Sequence, residues 1–458
     1  MAIAGLLAVA AVAIVTHTFD SGPPHPDRWD PRVADLVSFV EQERGLRFKH
    51  PVYVDFLTPA EYTADTTSDP EEINQKERDD LETFAGGLRA LGVASGPLDL
   101  VAAYNAVSDG GTLAFYRPSD QRVRVRGTEV TVGLQVTLVH ELTHALQDQH
   151  FNIERLYDNE LDSSASTAFR ALIEGDALRV EDAYSSDELS VADRAAYQRE
   201  YAGQLEESVD ATGDVPPFVT AGFSVPYLLG RPFVAMLANR GGNKAVNAAF
   251  RSPPDTEEHL FDPASYLKKE EAEDVDLDLP DEVKVLDDGP FGSPSWYLML
   301  AERIDPKVAF TAALGWGGDA YATFERDNRT CMRAAFVGDT NRDEREMTAA
   351  LDAWAKAMPG KLARAIDVGG HPGLEACDPG EATDMALSGR SDNALHLPSL
   401  WGYLVADAAR AGDADVARCY ALGVINGLTY EEIVDPDGTV FDSETFHDLV
   451  DKSFADCT

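Results

Sequence analysis

His140, Glu141 and His144 fall in one short run, His140-Glu141-Leu142-Thr143-His144. Residues of these types at this spacing can assemble a hydrolytic metal site. On a helix, positions i and i+4 share a face, so the two imidazoles of an HExxH run can meet one zinc ion. Glu141 follows the first histidine and can lie beside the open fourth coordination position. There it would accept a proton from a water whose pKa the ion has lowered toward ~7.

A third protein donor is needed, and two candidates follow. Glu174 lies in Ala171-Leu172-Ile173-Glu174-Gly175-Asp176-Ala177, inside the next expected helix, and an antiparallel return would carry its carboxylate to the ion. Gly175 beside it would let that helix pack closely on a partner. His150 is the rival, because HELTHALQDQH places it at the spacing of HExxHxxGxxH. That longer pattern uses its glycine to turn the chain sharply. Gln147 stands at the glycine position, so the helix should continue and point His150 roughly 240° around from His144. Glu174 is therefore the expected third ligand. Asp176 could orient a ligand histidine, or face solvent. Tyr184, His259 and His371 could each polarise a scissile carbonyl, although each reads first as an ordinary core or surface residue.

Hydrophobic periodicity supplies the elements that must position these groups. Val33, Leu36, Val37 and Val40 recur at helical spacing up to Gly45, and Pro51 to Leu57 reads as a strand. The charged stretch 69–82 reads as a solvated helix or loop, continuing as a helix from Leu81 to Leu91. Two alternating runs flank Pro118-Ser119-Asp120, predicting a β-hairpin over Thr112–Gly127 with Arg122, Arg124 and Arg126 on one face. That basic stripe reads first as a solvated face paired with acidic neighbours, and second as an attractor for acidic peptide side chains. A helix is expected over Val132–His150 and another from about Ser164 to Tyr184, capped by Asp162 or Ser163. Mostly helical segments follow, broken at Pro216-Pro217, Pro253-Pro254 and the acidic stretch 269–288, a candidate domain boundary. Trp316, among glycines, reads as a packed turn.

The hairpin, the HExxH helix and the following helix with its Glu174-Gly175 pair resemble the active-site region of gluzincin-type zinc metallopeptidases. The longer pattern HELTHALQDQHF, with ALIEGDA and Gly315-Trp316-Gly317-Gly318-Asp319, is similar to a largely uncharacterised group of exported microbial proteins. The specific part covers about a sixth of the chain. The resemblance implies His140, His144 and Glu174 as metal ligands and Glu141 as base. It also implies a peptide aligned antiparallel to an edge strand, for which residues 121–127 are the candidate. The NExxSD-type second motif of the thermolysin group is missing. The expected fold is α+β and predominantly helical: residues 1–19 an N-terminal membrane anchor or signal segment, 20–30 a linker, 31–200 a zincin-like catalytic domain, and 201–458 a mostly helical C-terminal region.

The chain's 80 acidic residues oppose 38 basic ones, a formal net charge of −42. Such a surface repels nucleic-acid phosphates, which disfavours nucleic-acid partners. The excess rests on 48 Asp and 32 Glu against 28 Arg and 10 Lys, a balance resembling that of proteins from salt-loving microbes. Ala2 to Val15 is an uninterrupted apolar run, short of the ~20 residues of a full span unless Thr16 to Phe19 extend it. It reads as an uncleaved membrane anchor or a cleaved signal peptide, so the body is expected outside the cytoplasm, anchored or secreted. Cys331, Cys377, Cys419 and Cys457 have no CxxC spacing, which argues against a structural zinc site. Neighbours close the shorter loops, so Cys331–Cys377 and Cys419–Cys457 are the expected bridges.

The expectation is thus a zinc-dependent peptidase acting on a peptide or protein substrate. The alternatives are a cell-surface binding or assembly protein with a structural zinc site, and a metal-dependent amidase on non-peptide substrates. The charge balance makes a prediction of its own. Repulsion among exposed carboxylates should weaken as the Debye length falls from ~10 Å at 0.1 M salt to ~3 Å at 1 M. The thermal unfolding midpoint should rise between these concentrations, and an unchanged or falling midpoint would contradict salt adaptation.

Overall fold

The computed structural model describes residues 24–157, 161–280, 283–410 and 413–458. The apolar run Ala2–Val15 therefore lies outside the described residues. The protein is α+β and predominantly helical, with two small sheets.

The N-terminal half begins with α1 (Ala34–Arg44), β1 (Tyr53–Leu57), α2 (Pro59–Thr66), α3 (Gln75–Leu91) and α4 (Leu100–Asp109). Leu36, Val37 and Val40 form the buried face of α1, and Gly45 ends the helix at φ 61°, a left-handed conformation natural to glycine. Asn74 and Glu77 close a capping box at the start of α3. Its charged first half is exposed, and residues 84–91 enter the core. The hairpin follows as β2 (Ala114–Arg117) and β3 (Arg122–Arg126).

Three long helices come next: α5 (Val132–Phe151), α6 (Ser163–Asp187) and α7 (Val191–Thr212). Thr131 and Asp162 cap α5 and α6 with their side-chain oxygens, which accept otherwise unbonded amides of the first turn. Helix α5 runs unbroken through Gln147 to Asn152 and is buried on nearly every face. The alternation of apolar positions along it foretold one buried side only.

Helix α8 (Pro217–Arg251) contains Pro226 and Pro232 and kinks at Gly241–Gly242. It is the one helix among the described residues long and apolar enough to cross a membrane, yet 56% of its most apolar window is buried inside the protein. It packs along α6 so closely that a Cβ on Gly175 would lie 2.2 Å from Gly230 O, and one on Gly230 would lie 2.1 Å from Ala171 O. Gly175 thus serves the approach of α6 to α8.

The remainder comprises α9 (Glu258–Phe261), α10 (Pro263–Lys268), β4 (Lys284–Gly289), α11 (Ser293–Arg303), α12 (Pro306–Leu314), β5 (Trp316–Arg326), β6 (Arg329–Gly338) and α13 (Asn341–Ala357). It closes with β7 (Ala363–Val368), β8 (His371–Cys377), α14 (Ser391–Ala394), α15 (His396–Ala408), α16 (Ala414–Gly427), α17 (Tyr430–Ile433) and α18 (Glu444–Cys457). Strands β4 to β8 form an antiparallel sheet in the order β4-β5-β6-β8-β7. Trp316 is packed as expected but opens β5 rather than forming a turn; its indole and that of Trp296 each donate to Asp319 Oδ2 at 2.8 Å. Disulfides join Cys331 to Cys377 across β6 and β8, and Cys419 to Cys457 across α16 and α18, the two expected pairs.

One buried apolar cluster extends from Val33 to Ile433. With α6 set against α8, residue 200 is not a break in packing.

The small sheet bears most directly on the site. Its order is β1-β3-β2, with β1 parallel and β2 antiparallel to β3. Strand β3 is therefore central, and its backbone is engaged on both sides. This corrects the assignment of residues 121–127 as a substrate-pairing edge, since β2 holds the edge nearer α5. The arginine stripe is likewise spent locally. Arg122 pairs with Asp55, Arg124 with Asp65 and Asp120, and Arg126 with Asp109.

Candidate metal centre

Helices α5 and α6 pack side by side and bring three donor side chains together. Glu174 Oε2 lies 3.2 Å from His140 Nε2 and 3.4 Å from His144 Nε2. All three donor atoms fall within 4.8 Å of one another. A tetrahedral ion with bonds of about 2.0–2.2 Å spaces its ligand atoms roughly 3.3–3.5 Å apart, so this cradle fits zinc. His140, Glu141, His144 and Glu174 are each at most 8% exposed. Burial of so many ionisable groups is costly unless charge is compensated inside the site.

The outer nitrogens of both imidazoles are held by partners of their own. His140 Nδ1 donates to Glu181 Oε2 at 3.0 Å, and Tyr197 OH donates to Glu181 Oε1 at 3.3 Å. His144 Nδ1 donates to Gln147 Oε1 at 3.0 Å, and Gln147 Nε2 donates to Asp176 Oδ2 at 3.0 Å and to Ile173 O at 3.1 Å. Asp176, fully buried, is paired in turn with Arg44 Nε at 2.9 Å. With each Nδ1 proton committed outward, each Nε2 lone pair is free to face inward, the tautomer that metal ligation requires.

Burial pushes the Glu174 carboxyl up, but the charges and hydrogen bonds of His144 and His140 outweigh it and hold the group well below its ordinary range. Burial draws the His140 imidazole down, and its bonds to Glu174 and Glu181 reverse this and raise it well above the usual value.

Glu141 points from α5 toward the hairpin, and Tyr116 N donates to its Oε2 at 2.6 Å. This amide belongs to the edge of β2 that is not paired with β3. Burial pushes the Glu141 carboxyl above its ordinary value, against the opposing charges of His144 and His140. Raised basicity suits a group that must hold a proton for part of a cycle.

The remaining candidates separate cleanly. His150 is half-buried and its Nε2 lies 2.8 Å from Arg47 O, so it does not join the cluster. Tyr184 OH donates to Gln135 Oε1 at 3.3 Å. His259 Nε2 lies 3.2 Å from Glu270 O, and His371 Nδ1 lies 2.7 Å from Glu344 Oε1; both belong to other parts of the fold. Asp176 does reach a histidine, but through Gln147.

Sequence reasoning missed Glu181, Gln147, Arg170 and Tyr227. Glu181 had a usable signal, since it stands seven residues after Glu174 and so on the same face of α6. Arg170 Nε lies 3.7 Å from Glu174 Oε1, and Arg170 Nη2 lies 3.5 Å from Tyr227 OH. Desolvation and the charge of Glu174 raise the Tyr227 phenol above its ordinary value. Nothing in the apolar pattern of α8 marks that tyrosine.

Comparison with protein-family models, curated proteins and solved structures returned no match. The hydrogen-bonded partners of the histidines supply a test. Gln147→Ala and Glu181→Ala should each weaken zinc binding about 10–100-fold, measured by competition with a chromogenic chelator. Affinity unchanged in both variants would contradict their orienting role.

Proposed function

We propose that the protein is a zinc-dependent peptidase with a zincin-like catalytic region around residues 31–200. The observation that carries this reading is the spacing of His140 Nε2, His144 Nε2 and Glu174 Oε2 beside the carboxylate of Glu141. Three protein donors leave a fourth position open, as catalytic zinc sites do, whereas structural sites are closed by four. A zinc ion held there would lower the pKa of a bound water toward ~7 and polarise a carbonyl.

Glu141 is the general base. Its carboxylate adjoins the donor cluster, and the Tyr116 amide fixes its Oε2. Strand β2 supplies the positioning element. A peptide reaching this edge would meet the outward-facing backbone of Ala114 and the Tyr116 carbonyl, because the Tyr116 amide is already bound to Glu141. Arg170 of α6 and Tyr227 of α8 stand on the other side of Glu174, joined to it through Arg170 Nε at 3.7 Å.

The setting of the site is extracytoplasmic, with the chain secreted or anchored through Ala2–Val15. The apolar run and the two disulfides support this reading. A cell-surface protein with a purely structural zinc site would not need Glu141 beside the donors.

The test is the digestion of a peptide library by purified protein, with and without a chelator. Glu141→Gln should retain about one zinc per chain and lose hydrolysis by roughly 10²–10⁴-fold. A variant as active as the parent would exclude the mechanism, and a parent that cleaves no peptide under any zinc loading would exclude the peptidase reading.

A further inference from the structure

A second group of carboxylates lies away from the zinc cradle. Glu258 on α9, Glu270 just after α10, and Asp339 between β6 and α13 each bring an oxygen within 4.8 Å of the others. Glu258 is 2% exposed, and its Oε1 is buried without a hydrogen-bond partner. A buried carboxylate left unpaired is strongly unfavourable. Glu270 is held by Arg418 Nη2 at 2.6 Å and by Lys268 Nζ at 2.8 Å, and Asp262 by Arg418 Nε at 2.5 Å. Glu258, Glu270, Asp339 and Asp262 thus face only Arg418 and Lys268, and Lys268 is shared with Asp415 at 3.4 Å. A divalent ion among these oxygens would offset the excess of acidic groups.

The glycine-rich run after α12 builds this site. A Cβ on Gly318 would lie 2.3 Å from Glu273 O, one on Gly317 would lie 3.0 Å from Asp339 Oδ1, and one on Gly315 would lie 2.3 Å from Asp343 Cγ. Glu273 N donates to Gly317 O at 2.7 Å, and Asp339 N donates to Gly315 O at 3.0 Å. The three glycines therefore let the acidic segment after α10 and the Asp339 turn close on the same stretch of β5. They account for the Gly315-Trp316-Gly317-Gly318-Asp319 motif, which the zinc cradle leaves unused.

We propose that Glu258, Glu270 and Asp339 bind a calcium ion that ties α9 and α10 to the β6–α13 turn. The donor set is oxygen only, as hard cations require, and no imidazole or thiolate favours zinc. Calcium–oxygen distances of about 2.3–2.6 Å allow ligand atoms up to roughly 5 Å apart, which covers the observed spread. Asp339 is exposed and gives the ion its path from solvent. This site is independent of the zinc cradle.

The experiment is isothermal titration of zinc-loaded protein with CaCl₂ in concentrated KCl, which suppresses diffuse binding to the acidic surface. The parent should show one saturable calcium site with a dissociation constant of about 10⁻⁴–10⁻³ M or tighter. Glu258→Gln and Asp339→Asn should lose it. Glu82→Gln, which removes an equal charge from the exposed side of α3, should keep it. Circular dichroism checks that each variant is folded, and Glu258→Gln should fold without calcium because it removes the unpaired charge. No saturable site in the parent would overturn the proposal, as would calcium binding undiminished in Glu258→Gln or a cluster filled by zinc but not by calcium.

Discussion

Glu174 Oε2 sits between two imidazole nitrogens at 3.2 and 3.4 Å, and most of the N-terminal half can be understood as the means of keeping it there. The contact links two helices whose own patterns say nothing of their relative height or rotation. A shift of one residue along α6 would swing the carboxylate about 100° away. The fold prevents this from the far side, where Gly175 and Gly230 let α6 and α8 meet backbone to backbone. Side chains at that contact would force the helices apart by ångströms, beyond what a metal–ligand bond tolerates.

The same rigidity reaches each imidazole through its outer nitrogen. His144 is held by a relay through Gln147 and Asp176 to Arg44 at the end of α1, and Arg44 also donates to Asn243 and Asn247 on α8. His140 is held by Glu181 and Tyr197. Four helices thus converge on two rings, and the three candidate donors are surrounded by groups that orient them. Such packing is what a preorganised site requires, because a loosely held imidazole loses affinity before it loses contact.

Much of this was legible in the sequence, for definite reasons. The i, i+4 histidines and the continuity of the helix through Gln147 follow from local rules, and so does the exclusion of His150. Glu174 could be chosen because the polar loop before α6 allowed a reversal of direction. The order of the small sheet was not legible. The hairpin is local, but whether β1 adds to β2 or to β3 depends on pairing across more than 60 residues, and no alternation pattern encodes it. That choice moved the open edge from β3 to β2 and placed the Tyr116 amide on Glu141. Gln147 was read only for the turn it fails to make, so its hydrogen bond to His144 went unseen. Tyr227 lies on an apolar helix where neighbours, not sequence, give it polar company.

The central claim is that α5 and α6 together complete one zinc site. It is tested most directly by zinc content after exhaustive dialysis of the parent, His150→Ala and Glu174→Ala. The account predicts about one zinc per chain in the parent and in His150→Ala, and its loss from Glu174→Ala. Zinc lost from His150→Ala and retained by Glu174→Ala would contradict it.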